Sequence, residues 1–113
     1  MRLVELVAIA LGLPKFALHQ YFSRPIQVMR LLHYSEKESR PQEGIFGAGA
    51  HTDYGFLTIL STDGNPGLQV LAREGTTAAG EQWVKIQPKP FDFVVNVGDF
   101  LQELTDGECH MVV

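Results

Sequence analysis

The sequence predicts a mainly β domain with one or two short helices at its N-terminus. Three observations predict this class. Apolar residues recur with a helical period only near the start of the chain. From Ile26 onward, short segments alternate apolar and polar residues, which is typical of half-buried strands. Residues typical of turns separate these segments, as in an antiparallel barrel or sandwich.

Residues 1–24 are predicted to form a helical lead-in segment. Four apolar residues lie on one face at helical spacing: Leu3, Leu6, Val7 and Ala10. We expect this helix to end at Gly12 and Pro14, because glycine tolerates a left-handed cap and proline cannot continue the helical hydrogen bonding. A second short helical segment is expected over residues 16–22, and Pro25 ends it.

Residues 25–113 are predicted to form the β domain. Six strands are expected in it: 26–34, 50–60, 67–71, 82–87, 93–97 and 108–113. The sequence Asp63-Gly64-Asn65-Pro66-Gly67 has the composition of a turn. Polar or glycine-bearing loops are expected over residues 35–44 and 72–80.

The composition is that of an ordinary globular domain, or part of one. The chain has 113 residues, is 45% hydrophobic and 19% charged, and has a formal net charge of −4. This balance argues against nucleic acid as a partner. We expect no membrane association, since no apolar run reaches the length of a span and Glu5 interrupts the first one. The single cysteine, Cys109, fits a reducing compartment, so a cytoplasmic location is expected.

The most informative motif is His51-Thr52-Asp53, which directly precedes the alternating run that starts at Phe56. Residues two apart on a strand point to the same face, so His51 and Asp53 would present a nitrogen and a carboxylate oxygen together. One histidine and one carboxylate are two-thirds of the facial triad that holds non-haem Fe(II). Read alone, the motif is a weak signal, because chance and surface polarity produce this pattern more often than a metal site does.

An ordered series of segments surrounds this motif over roughly residues 20 to 104. It comprises Arg30-Leu31-Leu32-His33-Tyr34, Gly47 to Leu60, Gly67-Leu68-Gln69-Val70, Trp83-Val84-Lys85-Ile86 and Val94 to Gln102. In order and spacing the series resembles the isopenicillin-N-synthase-like branch of the iron(II)- and 2-oxoglutarate-dependent dioxygenases. The resemblance implies a double-stranded β-helix, or jelly roll, as the fold.

The resemblance also implies a metal site formed by His51, Asp53 and a distal histidine. The matching position is His110, although Met111 follows where the family has arginine, and the segment after Asp99 is shorter than usual. A shortened hairpin can turn a ligand to the wrong face, so His110 can also be read as a histidine that binds no metal. Two further histidines, His19 and His33, are interpreted as packing, surface or structural residues.

For the cosubstrate, the resemblance points to Tyr34, which corresponds to a tyrosine that helps to hold 2-oxoglutarate. The same residue can also be read as a core aromatic. In the family, an Arg-x-Ser motif after the distal histidine grips the far carboxylate, and an arginine suits this role because its planar group binds carboxylates bidentately. The sequence ends three residues after His110 without this motif.

We therefore expect a truncated member with an incomplete jelly roll. A jelly roll has about eight strands, against six expected here, so an unpaired sheet edge and a tendency to self-associate are predicted. As given, the chain is expected to turn over 2-oxoglutarate poorly. A chain extended by the family's Arg-x-Ser strand is expected to turn it over readily.

Two functions follow from these expectations. The first is an oxidoreductase that uses Fe(II), 2-oxoglutarate and O2, with ascorbate as an optional cofactor. It would hydroxylate or desaturate a small organic substrate and release succinate and CO2. The second is a catalytically silent fragment, either an interaction partner or a chain without function. The sequence does not define the substrate.

Overall fold

The computed structural model describes residues 1–34, 39–72 and 82–109. The chain divides into two compact units, Met1–Lys37 and Glu38–Val113. Small antiparallel sheets and a few helices make up its regular structure, so the predicted mainly β class is confirmed at this level. Within the described ranges, none of the helices is both long and apolar enough to span a membrane.

The first unit is a helical pair. Helix α1 spans Arg2–Ala10, and a 3₁₀ helix, Ala17–Phe22, packs against it. The predicted end of α1 is confirmed: Gly12 has a φ of 69°, and the next amide, that of Leu13, donates to Ala8 O at 2.9 Å. The buried residues of the pair are Val4, Ala8 and Leu18.

A small charged cluster joins the two helices of the first unit. The carboxylate of Glu5 lies 3.3 Å from Lys15 Nζ and 3.4 Å from His19 Nε2. The His19 ring also meets the ring of Phe16 edge-on, with centroids 5.0 Å apart. His19 therefore has packing and polar contacts within this helical pair.

The strand predicted over residues 26–34 is wrong. This stretch has no regular secondary structure, and its apolar side chains are exposed, with Ile26 93% accessible. Alternating hydrophobicity produces a strand only where a neighbouring strand supplies hydrogen bonds and a covering surface. Among the described residues, none forms a ladder with this stretch.

The second unit contains two antiparallel strand pairs. Strand β1, Leu57–Leu60, pairs with β4, Val94–Val97, in the register Thr58↔Asn96. Strand β2, Gln69–Ala72, pairs with β3, Gln82–Lys85. All four overlap predicted strands, and each is shorter than predicted, although β2 ends one residue later than predicted, at Ala72.

The predicted turn between β1 and β2 is confirmed. The amide N–H of Asn65 donates to Asp63 Oδ1 at 3.0 Å, which is the local hydrogen bond that makes aspartate favourable in turns. Gly64 and Gly67 have φ values of 89° and 150°.

The β1 strand begins seven residues later than predicted, at Leu57 instead of residue 50. The backbone before it is held by a different set of hydrogen bonds. The carbonyls of Asp53, Gly55 and Phe56 accept from the amides of residues 99, 100 and 98, at 2.7, 3.2 and 3.1 Å. These residues form the junction of β4 with the next helix. Residues 53–56 are thus hydrogen-bonded to the β4–helix junction, which we call the corner, and not to a strand.

That helix, α2, spans Asp99–Leu104 and was not predicted. Its residue Leu101 is only 1% exposed, and the ring of Phe100 lies 6.3 Å from the buried ring of Phe56. The strand predicted over 108–113 is wrong at Glu108 and Cys109, which lie in a bend after α2. The rest of that prediction falls outside the described residues.

Candidate metal centre

The structure brings His51 and Asp53 together. The Nε2 atom of His51 lies 3.9 Å from Oδ1 of Asp53. The side chain of His51 is 64% exposed and that of Asp53 is 32% exposed. The pair therefore lies at an accessible surface of the second unit, where an ion or a small molecule can reach it.

A hydrogen bond to the backbone places a proton on Nδ1 of the His51 imidazole. His51 Nδ1 lies 2.7 Å from the carbonyl oxygen of Gly49. A carbonyl can only accept, so Nδ1 carries the proton in this contact. In the neutral ring, Nε2 is then the basic nitrogen, and it is the atom that lies nearest to Asp53. Histidines that bind metals commonly donate their other ring N–H to a carbonyl in this way.

Two contacts fix Asp53, one from β4 and one from the first residue of α2. The side-chain amide of Asn96 donates to Oδ2 at 2.8 Å. The backbone N–H of Asp99 donates to the carbonyl of Asp53 at 2.7 Å. The first contact orients the carboxylate, and the second holds the backbone that carries it.

Close packing of the backbone brings these elements together at Gly98. A Cβ atom at this position would lie 2.8 Å from Asp53 O and would clash directly with Gly55 O. The φ of Gly98 is −102°, which any residue can adopt, so space and not conformation requires glycine here. The residue allows the β4–α2 corner to approach the segment that carries Asp53.

This donor pair fits a divalent cation. A basic Nε2 and a carboxylate oxygen repel each other unless a proton or a cation lies between them. Zinc, as an example of a divalent cation, binds histidine nitrogen and carboxylate oxygen at about 2.0–2.2 Å. Two such bonds together only just exceed the observed 3.9 Å, so one ion lies within reach of both atoms. Adjacent positions of a facial site require these two atoms to move closer together when the ion binds. The alternative is a charged histidine paired with the carboxylate.

The predicted third ligand, His110, lies outside the described residues, and its assignment stays a prediction. Within the ranges that are described, three His, Cys, Asp or Glu side chains do not come together as a metal-binding group. Tyr34 belongs to the first unit, where it is 57% exposed, and its predicted role in holding the cosubstrate stays a prediction.

Sequence reasoning missed Asn96 and Gly98 as parts of this site. A signal was present for the first, because asparagine is disfavoured in strands and here interrupts Val94-Val95-Asn96-Val97. Its partner could not be read from the sequence. The close approach at Gly98 depends on the path of residues 53–55, which the sequence pattern placed in a strand.

Comparison with known proteins identifies the family. Residues 25–113 match the 2OG-Fe(II) oxygenase superfamily. The chain belongs to this superfamily, whose members use Fe(II) and 2-oxoglutarate, and the family predicted from the sequence is confirmed.

Related proteins carry names of the same class. The chain is 39% identical over 108 residues to the 2-oxoglutarate-dependent dioxygenase caaD of Aspergillus niger, covering 95% of the chain and 32% of that protein. It is 41% identical over 103 residues to gibberellin 20 oxidase 3 of Oryza sativa subsp. japonica, covering 91% of the chain and 27% of that protein. The chain thus spans about a third or less of the relatives it matches. No solved structure matches it.

Proposed function

We propose that this chain carries the metal-binding part of a 2-oxoglutarate-dependent dioxygenase. In this proposal His51 and Asp53 hold Fe(II), and His110 is the third ligand. The observation that carries the proposal is the facing pair of Nε2 and Oδ1 at 3.9 Å, with each side chain oriented by a separate hydrogen bond.

The chemistry follows from the family and from the donor set. When bound, Fe(II) in a site with two histidines and one carboxylate supplies open coordination positions for 2-oxoglutarate and O2. The expected overall reaction hydroxylates or desaturates a small organic substrate, with release of succinate and CO2. Tyr34 is proposed to hold the cosubstrate. We further propose the isopenicillin-N-synthase-like branch, which the order of the matching segments supports.

The contribution of the chain's own residues is preorganisation. Gly49 O holds the imidazole with Nδ1 protonated, so Nε2 remains a donor for the metal. Asn96 is a neutral donor to Asp53, so it orients the carboxylate without neutralising the charge that attracts a cation.

We also propose that the β domain, taken as residues 25–113, is part of a jelly roll. Supporting this, the pairing is nested: β2 and β3 pair with each other and lie in sequence between β1 and β4, which also pair. Wrapping a long antiparallel ribbon into a jelly roll gives such nested pairs. Interstrand amide contacts in the NMR spectrum beyond these two pairs are the expected observation. Their absence would contradict the proposal.

Anaerobic calorimetric titration with Fe(II) or Mn(II) tests the metal site. We expect the parent chain to bind one ion. His51→Ala and Asp53→Ala should each weaken binding by more than about tenfold, since even indirect partners of a metal contribute that much. His33→Ala is the matched control and should bind as the parent does, because His33 is an exposed histidine of the first unit.

The same titration with His110→Ala tests the third ligand. Weaker binding supports His110, and parent-like binding contradicts its assignment while leaving the other two residues in place. If the parent does not bind, or if His51→Ala and Asp53→Ala bind as tightly as the parent, the proposed metal site is wrong. The reading of the chain as a catalytically silent fragment would then be favoured.

A further inference from the structure

We infer that Asn96 is a positioning residue for the metal site: its side-chain amide sets the orientation in which the Asp53 carboxylate faces His51. This inference rests on the proposed function. Asn96 Nδ2 donates to Asp53 Oδ2 at 2.8 Å, and the other carboxylate oxygen, Oδ1, is the one 3.9 Å from His51 Nε2.

The position of Asn96 is itself well defined. It lies inside β4, paired with Thr58 of β1 in a four-residue antiparallel register. Helix α2 begins three residues later, at Asp99. The amide is therefore presented from a backbone that is hydrogen-bonded on β1, whereas Asp53 lies on a segment outside any strand. The paired strand therefore holds Asn96 in place, and the Asn96 amide orients the Asp53 carboxylate.

A purely structural role, fastening residues 53–56 to the sheet, is the competing explanation. That task is already performed by three backbone hydrogen bonds, in which the carbonyls of Asp53, Gly55 and Phe56 accept from the corner of β4 and α2. These bonds act on the main chain and not on the Asp53 carboxylate. The contact with Asn96 is a bond to the carboxylate itself, so it acts on the direction in which the oxygens point.

The chemistry of the amide suits this role. Arginine or lysine at position 96 would orient the carboxylate as well, but its positive charge would repel a cation. A neutral amide donor orients the group and leaves the net charge of Asp53 in place. Partners of this kind typically contribute about 10–100-fold to metal affinity.

The variant Asn96→Leu tests the inference, because leucine has a similar size and no donor. The matched control is Asn65→Leu. Asn65 donates its side-chain amide to Asp63 at 2.7 Å, which is the same type of contact in the turn between β1 and β2. Anaerobic titration with Co(II) gives both the affinity and the visible absorption spectrum of the bound ion, and circular dichroism establishes that each variant is folded.

We expect Asn96→Leu to weaken Co(II) binding about 10–100-fold and to shift the Co(II) spectrum, while Asn65→Leu matches the parent in both. A merely structural hydrogen bond would lower stability and leave the spectrum of the folded protein unchanged. Parent-like affinity and spectrum in Asn96→Leu overturn the inference but leave the proposed function standing. Failure of the parent itself to bind overturns both.

A measurement on the parent chain covers the case in which Asn96→Leu does not fold. Each side-chain amide gives a pair of signals in the ¹H–¹⁵N NMR spectrum, and Zn(II) is a diamagnetic probe for the same ligands. Binding of Zn(II) is expected to shift the pair from Asn96 and not the pair from Asn65. Unshifted Asn96 signals at saturation would show that its amide does not sense the metal ligand, and the inference would be wrong.

Discussion

Replacing Gly98 with alanine is the most direct perturbation of the corner that carries the site. The added Cβ would lie 2.8 Å from Asp53 O, whereas ordinary contacts begin at 3.4 Å, so the two backbones must separate by at least about 0.6 Å, and by more at Gly55 O, where the clash is closer. Three hydrogen bonds cross this contact, with lengths of 2.7, 3.1 and 3.2 Å. The separation stretches them beyond good geometry.

The expected cost can be worked from these terms. Overpacking typically costs about 1–3 kcal/mol, and each weakened hydrogen bond contributes up to about 1 kcal/mol. We expect Gly98→Ala to lower the free energy of unfolding by about 2–4 kcal/mol. The same variant should weaken metal binding, because Asp53 moves with its carbonyl.

Urea denaturation followed by circular dichroism measures the change, with Gly55→Ala as the matched control. Gly55 belongs to the same segment and is not among the glycines with a left-handed φ, and its Cβ would lie no closer than 4.0 Å to any atom beyond its chain neighbours. Alanine at this position should be neutral or stabilising by up to about 1 kcal/mol. If the two variants have the same stability to within about 0.5 kcal/mol, the close approach at Gly98 does not exist as described.

Two further predictions concern the ends of the two units. Thr105→Val should lower the free energy of unfolding, measured by urea denaturation, by about 1 kcal/mol. The reason is that the Thr105 hydroxyl accepts from the Cys109 N–H at 3.1 Å and donates to Leu101 O at 2.9 Å. Unchanged stability would contradict a capping role for Thr105. Glu5→Gln should lower the thermal midpoint only slightly, corresponding to less than about 1 kcal/mol, and this difference should vanish at 1 M salt, since the partner Lys15 is exposed and ion pairs open to solvent are weak and screened. A larger effect that persists in salt would mean that Glu5 acts through packing.

The elements that the sequence predicted well are those with local causes. Helix α1 and the left-handed Gly12 are decided within a few residues, and so is the turn in which Asn65 donates to Asp63. The buried face of α1 was predicted wrongly: Val4 and Ala8 are buried, whereas Leu3, Leu6 and Ala10 of the predicted apolar face are exposed. The four short strands also follow from local alternation. Their pairing does not, because β1 is joined to β4 across the whole β2–β3 pair.

The predictions that failed depended on partners distant in the sequence. Residues 26–34 alternate as a strand should, but the described part of the chain gives them no pairing strand. Helix α2 was missed because six residues are too few for a clear period, and its formation depends on burying Leu101. In both cases tertiary contacts decided between structures that the local sequence permits.

The proximity of His51 and Asp53 was predicted from strand geometry, yet in the structure both residues lie outside any strand. On a strand, residues two apart are separated by about 6.6 Å along the chain, and their side chains run parallel. In the structure the segment is irregular, the imidazole is turned back to Gly49 O, and Nε2 comes within 3.9 Å of Oδ1. Convergence of this kind requires backbone that is free of a ladder and still fixed. The backbone of residues 53–56 has both properties, because its carbonyls bond to the β4–α2 corner and, among the described residues, it pairs with no strand before Leu57. The site therefore depends on the space at Gly98 and on the amide of Asn96 as well as on the motif.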